Sequence, residues 1–402
     1  MVLVERHVFK KRHKLYKELD NLCFLSKNLY NATMYEIRQY YFDNKKMLSY
    51  SDVNKLFIQS KNSDYYALNT KVSQQTQKLV VQMFKSFFSL LKKYRNDPTK
   101  KVHLPRYLDK NGRQVVMFTN QAVSTRTKGF VKLGGTNISI PTNVENVQFA
   151  RVVPRGTSIV VEIGYNKPEK EYSDNGVCAG IDLGVDNLVT LTFTDSSPII
   201  FNGKPVKAIN QYYNKKLSKL RSRQDTLGQK SKITNRMHRL IDKRNNKIKD
   251  YLHKCSREIV NQLVSHNVTN LVIGYNKQWK QDTNIGKKNN QKFVQIPFLT
   301  FVNMIKYKCE LEGIKVETIC ESHTSKCSFL DKEDICHHDT YAGKRIHRGL
   351  FRTHDGKLIN ADVNGSLNIL RRYLNVVRNT DIYKSVNLIE VCSTPTVFTV
   401  KS

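Results

Sequence analysis

The chain has 402 residues, of which 67 are Lys or Arg and 34 are Asp or Glu, so its formal net charge is +33. A positive excess spread along this length favours a polyanionic partner for either an enzyme or a structural nucleic-acid binder, and the length suits two or three domains. No run of about 18 apolar residues, no signal-peptide pattern and no secreted cysteine framework occurs, which predicts a soluble intracellular protein with reduced thiols and no membrane partner.

The N-terminal third has the pattern of amphipathic helices. Leucines recur at three- and four-residue steps from Leu15 to Leu29, and apolar residues do so again from Val72 to Leu90, with Lys and Arg between them. We predict a helical domain over residues 10–98 whose apolar stripes form a core. Its basic faces either follow a phosphate backbone or are simply solvated.

Short β-rich runs follow, separated by turn residues such as Gly134 and Gly135. They predict a small antiparallel barrel over residues 99–172, which the alternating residues 1–9 would join, so that the helices are an insertion into the barrel. The runs are Gln114–Phe118, Phe130–Leu133, Ile138–Ile140, Val147–Phe149 and Ser158–Ile163.

Beyond residue 173 the pattern becomes α/β. An apolar strand that carries Asp182 leads into a glycine turn and pairs naturally with the strand Asn187–Phe193. A carboxylate inside such a strand requires a cation if it is ionised and buried. An aspartate that caps the turn between the two strands is the alternative, and this strand alone does not decide between them.

The next segment, residues 205–266, is strongly basic, and its Leu, Ile and Val residues are spaced to form two long helices. We expect it to lie along a nucleic-acid backbone, with a solvated helical hairpin as the alternative. An apolar strand at Val268–Gly274, a helix at Phe298–Glu312 and an alternating strand at Ile314–Glu321 follow.

A second carboxylate, Asp362, precedes an apolar helical pattern that runs from Val363 to Leu370. Its simplest role is that of a helix N-cap. Two acids far apart in sequence, each at the edge of a regular element, are also what a two-metal phosphodiester nuclease needs. Mg²⁺ takes oxygen ligands, and a pair of ions stabilises both the attacking and the leaving oxygen.

The β-rich runs with inserted helices, the Asp182 strand, the next apolar strand and the Asp362 motif follow one another along the chain. This order resembles that of the transposon-encoded TnpB proteins, relatives of the type V CRISPR effectors. The likeness covers nearly the whole chain, and its most specific parts are Gly-Ile-Asp182-Leu-Gly and Ala-Asp362-Val-Asn. It implies an α/β plus β-barrel fold with a RuvC-type nuclease domain of ribonuclease H fold. The implied domains are a wedge-like β-barrel (1–9 and 99–172), a helical recognition domain (10–98) and the nuclease domain (173–402), which includes the basic insertion (205–266) and a degenerate zinc-finger-like, target-loading segment (323–360).

The resemblance also implies cofactors and partners. The cofactor would be Mg²⁺ or Mn²⁺. The partners would be a guide RNA transcribed from the element's own end, similar to an omega-RNA, and a target double-stranded DNA that is recognised beside a short motif, within a monomeric ribonucleoprotein. Such a protein would act in the cytoplasm or nucleoid of a bacterium, or in the nucleus of a eukaryotic or virus-infected cell.

The chain departs from the family pattern at the middle catalytic glutamate, which most relatives place at the end of the strand that here ends at Gly274. Glycine has no side chain to ligate a metal. Glu321 is the best substitute, because it ends the strand that would run beside this one, and a small residue at 274 leaves room for it. The arrangement resembles a TnpB subset and the eukaryotic and viral Fanzor proteins. Asp182 would then contact both ions, Glu321 one and Asp362 the other, while a surface acid beside His323 is the alternative role for Glu321.

A second departure lies in the segment 323–360. Typical relatives carry two Cys-x-x-Cys knuckles there, whereas this chain has only Cys327 and Cys336, with several histidines nearby. Tetrahedral zinc needs four converging ligands. We therefore expect no structural zinc, with a mixed Cys/His site as the alternative. Apolar packing would hold the loop instead, through Phe329, Leu350 and Phe351.

Contacts with nucleic acid are predicted at two kinds of position. Thr324 and Ser325 lie close to Glu321 in sequence and would hydrogen-bond the scissile strand. Basic residues would hold the guide RNA and its hybrid with DNA by their backbones, so that base pairing selects the sequence and salt weakens binding steeply. The predicted basic contacts are Lys10, Lys11, Arg12, Arg106, Lys215, Lys216, Arg221, Arg223, Arg236, Arg239 and Lys280.

Two other functions remain compatible with the sequence. A nuclease-inactive, RNA-guided DNA-binding protein would keep the fold and the charge but lack the ligand replaced by Gly274. A transposase or recombinase that acts on its own element's ends would also use three acids on such a sheet.

Overall fold

The computed structural model describes residues 1–97, 99–228, 233–276, 294–347, 349–385 and 388–400. The chain divides into two units, Met1–Lys167 and Pro168–Ser402. Among the helices of these ranges, none combines the length and the apolar run that a membrane crossing requires.

The first unit consists of helices and antiparallel strands that share one core. The predicted N-terminal helices are confirmed, and Ser49 caps the second of them by accepting from the backbone N–H of Asp52. Leu19, Val80 and Ile163 belong to the same hydrophobic cluster, so helices and strands are packed together. The elements are β1 (Val2–Lys10), α1 (Tyr16–Asn44), α2 (Tyr50–Gln59), α3 (Ser63–Tyr66), α4 (Thr70–Lys93), β2 (Val116–Thr119), β3 (Val123–Ser124), β4 (Phe130–Leu133), β5 (Ser139–Pro141), β6 (Val147–Pro154) and β7 (Ser158–Asn166).

The strands of this unit form two antiparallel sheets, in the orders β1-β7-β6-β2 and β3-β4-β5. β1 pairs with β7 along its whole length, which confirms that the first residues join the β structure. The single closed barrel is not confirmed, because β1 and β2 are the edges of the first sheet. A short 3₁₀ turn, Asn120–Ala122, separates β2 from β3, and the strands that follow pair with one another.

The second unit is built around a mixed sheet of order β12-β11-β8-β9-β10-β16. β8, β9 and β10 are antiparallel, whereas β11 runs parallel to β8 and β12 parallel to β11. The elements are β8 (Cys178–Leu183), β9 (Asn187–Phe193), β10 (Ile199–Asn202), α5 (Lys204–Thr226), α6 (Asn235–Ser265), β11 (Asn270–Gly274), α7 (Phe298–Leu311), β12 (Lys315–Ile319), β13 (Lys344–His347), β14 (Leu350–Arg352), β15 (Leu358–Asn360), α8 (Ala361–Val377), α9 (Ile382–Ser385), α10 (Leu388–Val391) and β16 (Thr396–Phe398).

The position of β12 confirms one prediction and corrects another. In the parallel pairing, Gly274 lies opposite Ile319, so the strand leading towards Glu321 does run beside the strand that ends at Gly274. However, β12 ends at Ile319, and Glu321 follows it in an irregular turn rather than closing the strand.

Helices cover both faces of this sheet. Ala179 and Ile181 of β8 pack into the cluster formed with α6 and α7. Gly180 faces α8, and a Cβ atom added to it would stand 2.9 Å from the backbone oxygen of Ser366. Glycine therefore lets α8 approach the strand closely. Because side chains alternate along a strand, Asp182 lies on the same face as Gly180.

The basic segment folds as the predicted pair of helices, α5 and α6. Thr234 caps α6 by accepting from the backbone N–H of Met237. One side of α6, including Leu252 and Ile259, is buried against the sheet. Lysines and arginines such as Arg239, Lys243 and Lys247 are among its exposed residues.

The segment between β12 and α8 contains the three-stranded sheet β13-β14-β15. Phe329 and Phe351 are almost fully buried in the cluster that includes α8, as predicted. Leu350 remains partly exposed.

Candidate functional site

Asp182 lies where β8 meets the N-terminal part of α8. It is opposite Thr190 of β9 and lines a cleft of about 800 Å³. Its Oδ2 would be 3.3 Å from a Cβ atom on Gly365, so a glycine on α8 leaves space for the carboxylate. The turn after β8 is instead held by Asp186, whose Oδ1 accepts a hydrogen bond from Lys207 Nζ at 2.7 Å. Asp182 is therefore directed towards α8, and the role of turn cap is not supported.

The electrostatic surroundings of Asp182 are unfavourable to its charge. Burial raises the pKa of its carboxyl well above the ordinary value, and the charges of Glu321 and Asp362 raise the pKa further. The guanidinium of Arg345 acts in the opposite direction. Two of the predicted acids thus act on the third, although all three lie far apart in the chain.

Asp362 is placed in the first turn of α8 but does not cap it. The cap is Asn360, whose Oδ1 accepts from the backbone N–H groups of Asp362 at 2.9 Å and Val363 at 3.2 Å. The Asp362 carboxylate faces the cleft, where its Oδ2 accepts from Asn187 Nδ2 at 2.7 Å and its Oδ1 from Arg345 Nη2 at 2.9 Å. The simple N-cap role is therefore wrong for Asp362.

Glu321 points back to the end of β11. Its Oε2 would be 3.3 Å from a Cβ atom on Gly274, and that same Cβ atom would overlap Ile369 Cδ1 of α8. Ile369 is fully buried. The space beside Gly274 is thus shared by the Glu321 carboxylate and the α8 core, which confirms the prediction that a small residue there makes room.

The donor set is that of a hard divalent cation. Asp182, Glu321 and Asp362 offer only carboxylate oxygens, and Mg²⁺ and Mn²⁺ prefer such ligands. Within the ranges that the structure describes, no three His, Cys, Asp or Glu side chains surround a single ion position. Each oxygen of Asp362 accepts one hydrogen bond, so an ion that binds Oδ1 would compete with the cation of Arg345 there.

The two hydroxyl residues beside Glu321 differ in their availability. Ser325 is exposed and lines the cleft. Thr324 is buried, and its Oγ1 donates to the backbone oxygen of Glu321 at 2.7 Å. This placement favours Ser325 over Thr324 for a contact with the scissile strand, and both contacts stay predictions.

The cysteines of the segment 323–360 lie in different surroundings. Cys327 is fully buried, with its Sγ 3.6 Å from the backbone oxygen of Cys336. Cys336 is exposed, with its Sγ 3.4 Å from His338 Nε2. No metal-site grouping of His, Cys, Asp and Glu occurs in the described part of this segment, and the expectation about zinc stays a prediction.

The basic residues predicted to bind nucleic acid are exposed wherever the structure describes them, and Lys280 lies outside the described residues. In the first unit these are Lys10, Lys11, Arg12 and Arg106. In the second unit they are Lys215, Lys216, Arg221, Arg223, Arg236 and Arg239.

Arg345 and Asn187 are site residues that sequence reasoning missed. Asn187 follows the turn after Asp182 and could have been found as the first residue of the paired strand. Nothing in the sequence indicated that Arg345 belongs to the site. It reaches Asp362 because β13 pairs with β14 and β14 with β15, the strand just before α8.

The chain is similar to two protein families and to individual TnpB-like proteins. Residues 158–280 match a family described as a probable transposase, and residues 298–369 match the TNB domain of Cas12f1-like proteins. A TnpB-like protein of Acidianus two-tailed virus is 23% identical over 210 residues, 50% of this chain and 43% of that protein. A TnpB-like protein of Methanocaldococcus jannaschii is 26% identical over 157 residues, 36% of this chain and 53% of that protein. The matched regions span about half the length of these relatives.

The fold is also found in a solved structure. Cas12f1, in the cryo-EM structure of its complex with sgRNA and target DNA, is similar with a TM-score of 0.52 at 13% identity, over 89% of this chain and 82% of that chain. At this identity, the likeness shows a shared fold.

Proposed function

Because the chain is a TnpB-type protein, we propose that it is an RNA-guided DNA endonuclease that hydrolyses phosphodiesters with Mg²⁺ or Mn²⁺. The ions would be held by Asp182, Glu321 and Asp362. The observation that carries the proposal is that Asp182 and Asp362 line one cleft, and that the charges of Glu321 and Asp362 add to the effect of burial in raising the pKa of Asp182. Raised pKa values produced by mutual repulsion are typical of functional sites.

Bound divalent ions would supply an activated water and would stabilise both the attacking and the leaving oxygen. The protein's own contribution is to fix the acids. Ser366 Oγ lies 3.0 Å from the backbone oxygen of Gly180 and 3.1 Å from that of Thr190, so its single hydroxyl proton can be donated to either, which holds α8 against the strands beside Asp182. Asn187 orients the carboxylate of Asp362. These contacts hold the ligands before a substrate arrives.

Cations in the cleft would act on the substrate phosphate. Lys207 and Arg345 line the same cleft as Asp182 and Asp362. Each is paired with an acid, Lys207 with Asp186 and Arg345 with Asp362. A phosphodiester bound in the cleft would place its charge near both cations, which favours the developing charge on the phosphoryl oxygens.

The partners follow from charge and from the relatives. The net charge of +33 favours a nucleic acid, and Cas12f1 was solved with sgRNA and target DNA. We propose that this chain binds a guide RNA and a target double-stranded DNA as a monomeric ribonucleoprotein, with the basic faces of α5 and α6 along a phosphate backbone. Base pairing would then select the sequence, and a short adjacent motif would be read on the DNA.

Purification of the protein with its bound nucleic acid tests the proposed function. We expect a defined RNA to co-purify, and a plasmid complementary to it to be cut in Mg²⁺ but not in EDTA. Removal of the RNA by ribonuclease should abolish cutting. An RNA-dependent DNA complex that does not cut would instead favour the nuclease-inactive binder, and cutting of the element's own ends without RNA would favour a transposase.

The ion pair between Arg345 and Asp362 leads to a prediction about metal binding. Arg345→Gln removes the cation that competes for Asp362 Oδ1. We expect divalent ions to bind the nucleic-acid-free protein more tightly, by a factor of up to about five, since a partly exposed ion pair is worth at most about 1 kcal/mol. The measurement is the rise in Tm on addition of Mg²⁺, compared with that of the wild type.

The matched control is Lys344→Gln, which changes the charge equally at the adjacent exposed position of β13. It should leave the Mg²⁺-induced rise in Tm at the wild-type value. An unchanged or smaller rise for Arg345→Gln would show that Arg345 does not compete with the ion.

A further inference from the structure

The turn that carries Glu321 lies outside the hydrogen bonds of the sheet. The backbone bond from Tyr275 N to Ile319 O, at 3.0 Å, is placed at the end of the β11–β12 ladder. Beyond it the chain turns irregularly, and His323 has a positive φ of 65°. A glutamate in such a turn is not aimed by strand geometry, so other contacts must hold it.

The backbone oxygens around Glu321 are bound by side chains. Arg372 of α8 donates from Nη1 to Cys320 O at 2.5 Å and from Nη2 to Ser322 O at 3.0 Å. The oxygen of Glu321 itself accepts from Thr324 Oγ1 at 2.7 Å. Three successive peptide groups are therefore fixed, and Arg372 binds the two that flank Glu321.

Arg372 also joins this turn to a more distant part of the same segment. Its Nη2 donates to Ile335 O at 2.9 Å. One turn earlier in the helix, Asn368 Nδ2 donates to Thr324 O at 2.9 Å and to Cys327 O at 2.7 Å. Residues three and four apart lie on one side of a helix, so Asn368 and Arg372 present one face of α8 to the turn.

The same helix carries Asp362 in its first turn. The two acids at positions 321 and 362 are thus set by one rigid element, Asp362 directly and Glu321 through Arg372. We propose that Arg372 is a positioning residue that holds Glu321 in reach of the divalent ion. It takes the place of the strand end that would otherwise orient the glutamate. This inference rests on the proposed function, since it assumes that Glu321 is a ligand.

Substitution of Arg372 by Met tests the proposal through metal binding. Met keeps much of the length of the side chain but has no donor. Groups that orient metal ligands typically contribute 10–100-fold to affinity, so we expect Mn²⁺ binding, measured by electron paramagnetic resonance on the nucleic-acid-free protein, to weaken by about that factor. The Mg²⁺ concentration for half-maximal cleavage should rise similarly, while saturating Mg²⁺ restores much of the rate. Arg372→Lys, which keeps one donor group, should be intermediate.

Arg378→Met is the matched control. It removes the same charge at the C-terminal end of α8, where Arg378 is paired with Asp174. Because nucleic-acid attraction falls equally in both variants, only a positioning effect distinguishes them. We expect Mn²⁺ affinity to stay at the wild-type value in Arg378→Met. Equal Mn²⁺ affinity in Arg372→Met and the wild type would overturn the proposal, as would an equal loss in the two variants.

A double substitution separates this proposal from the assignment of Glu321. If Arg372 acts through Glu321, then Arg372→Met should weaken Mn²⁺ binding no further in the Glu321→Gln background. A further loss there would overturn the positioning role. If Glu321→Gln itself binds Mn²⁺ like the wild type, the ligand assignment is wrong, and Arg372 loses its proposed role with it.

Discussion

Asp182→Asn is expected to abolish Mg²⁺-dependent cleavage of target DNA. Asp182 lines the cleft together with Asp362, and the charges of both other acids act on its carboxyl. A metal ligand that stabilises transition-state charge is worth several kcal/mol, so the rate should fall by about 1,000-fold or more. The measurement is single-turnover cleavage with bound guide RNA. Asp195→Asn, an exposed acid after β9, serves as the control and should cut like the wild type.

Although Asp182→Asn should abolish cleavage, it should stabilise the fold when divalent ions are removed. The raised pKa means that the folded protein binds the Asp182 proton more tightly than the unfolded chain does. The group therefore stabilises the fold most at pH below the ordinary aspartate pKa of about 3.9, and this contribution is lost as pH rises towards the folded pKa. The asparagine side chain of the variant carries no charge, so in EDTA at neutral pH we expect Asp182→Asn to have the higher Tm.

This difference in Tm should shrink as the pH is lowered to below about 3.9, where the wild-type carboxyl is mostly protonated in both states. Thermal unfolding in EDTA across this pH range measures it. A lower Tm for Asp182→Asn at neutral pH would mean that its carboxylate is stabilised by the surrounding protein and is not a strained ligand.

Glu321→Gln is expected to reduce cleavage by about 100-fold or more, because it removes a charged ligand while keeping the shape of the side chain. Glu317→Gln is the matched control, since Glu317 lies on β12 and pairs with Lys315 at the surface. The two variants should unfold at similar temperatures but differ in cleavage.

Normal cutting by Glu321→Gln would remove it from the site even if Asp182 and Asp362 prove essential. The glutamate could not be restored at the position usual in the family, because any Cβ atom at Gly274 would overlap Ile369 Cδ1. We therefore expect Gly274→Glu to fail as a rescue of Glu321→Gln.

Much of the fold could be predicted from the sequence because its signals are local. β9 spans Asn187–Phe193, as predicted from its pairing with the Asp182 strand across a short turn, and the long helices follow their apolar periodicity. The pairing of strands is not local. Strands after Asn120 could be recognised one by one, but their separation into a second sheet depended on the turn geometry, and the predicted closed barrel was not confirmed.

The site residues also divide into those that local sequence predicts and those that depend on contacts between distant segments. Asp182 was found because it interrupts an apolar strand, and Asp362 because it comes just before an apolar helical pattern. Asp362 was weighed as the N-cap, but Asn360 caps α8, because capping depends on which backbone N–H groups a side chain reaches. Burial of Thr324 and the approach of Arg345 to Asp362 arise from packing between distant segments.

The most direct test of the account is a crystal structure of the protein with Mn²⁺, using anomalous scattering to locate the ions. We expect two peaks about 3.5–4 Å apart, with Asp182 in contact with both, Glu321 with one and Asp362 with the other. Arg345 should have left Asp362 Oδ1. Manganese peaks that do not touch Glu321, or the absence of any peak between β8 and α8 at saturating Mn²⁺, would contradict it.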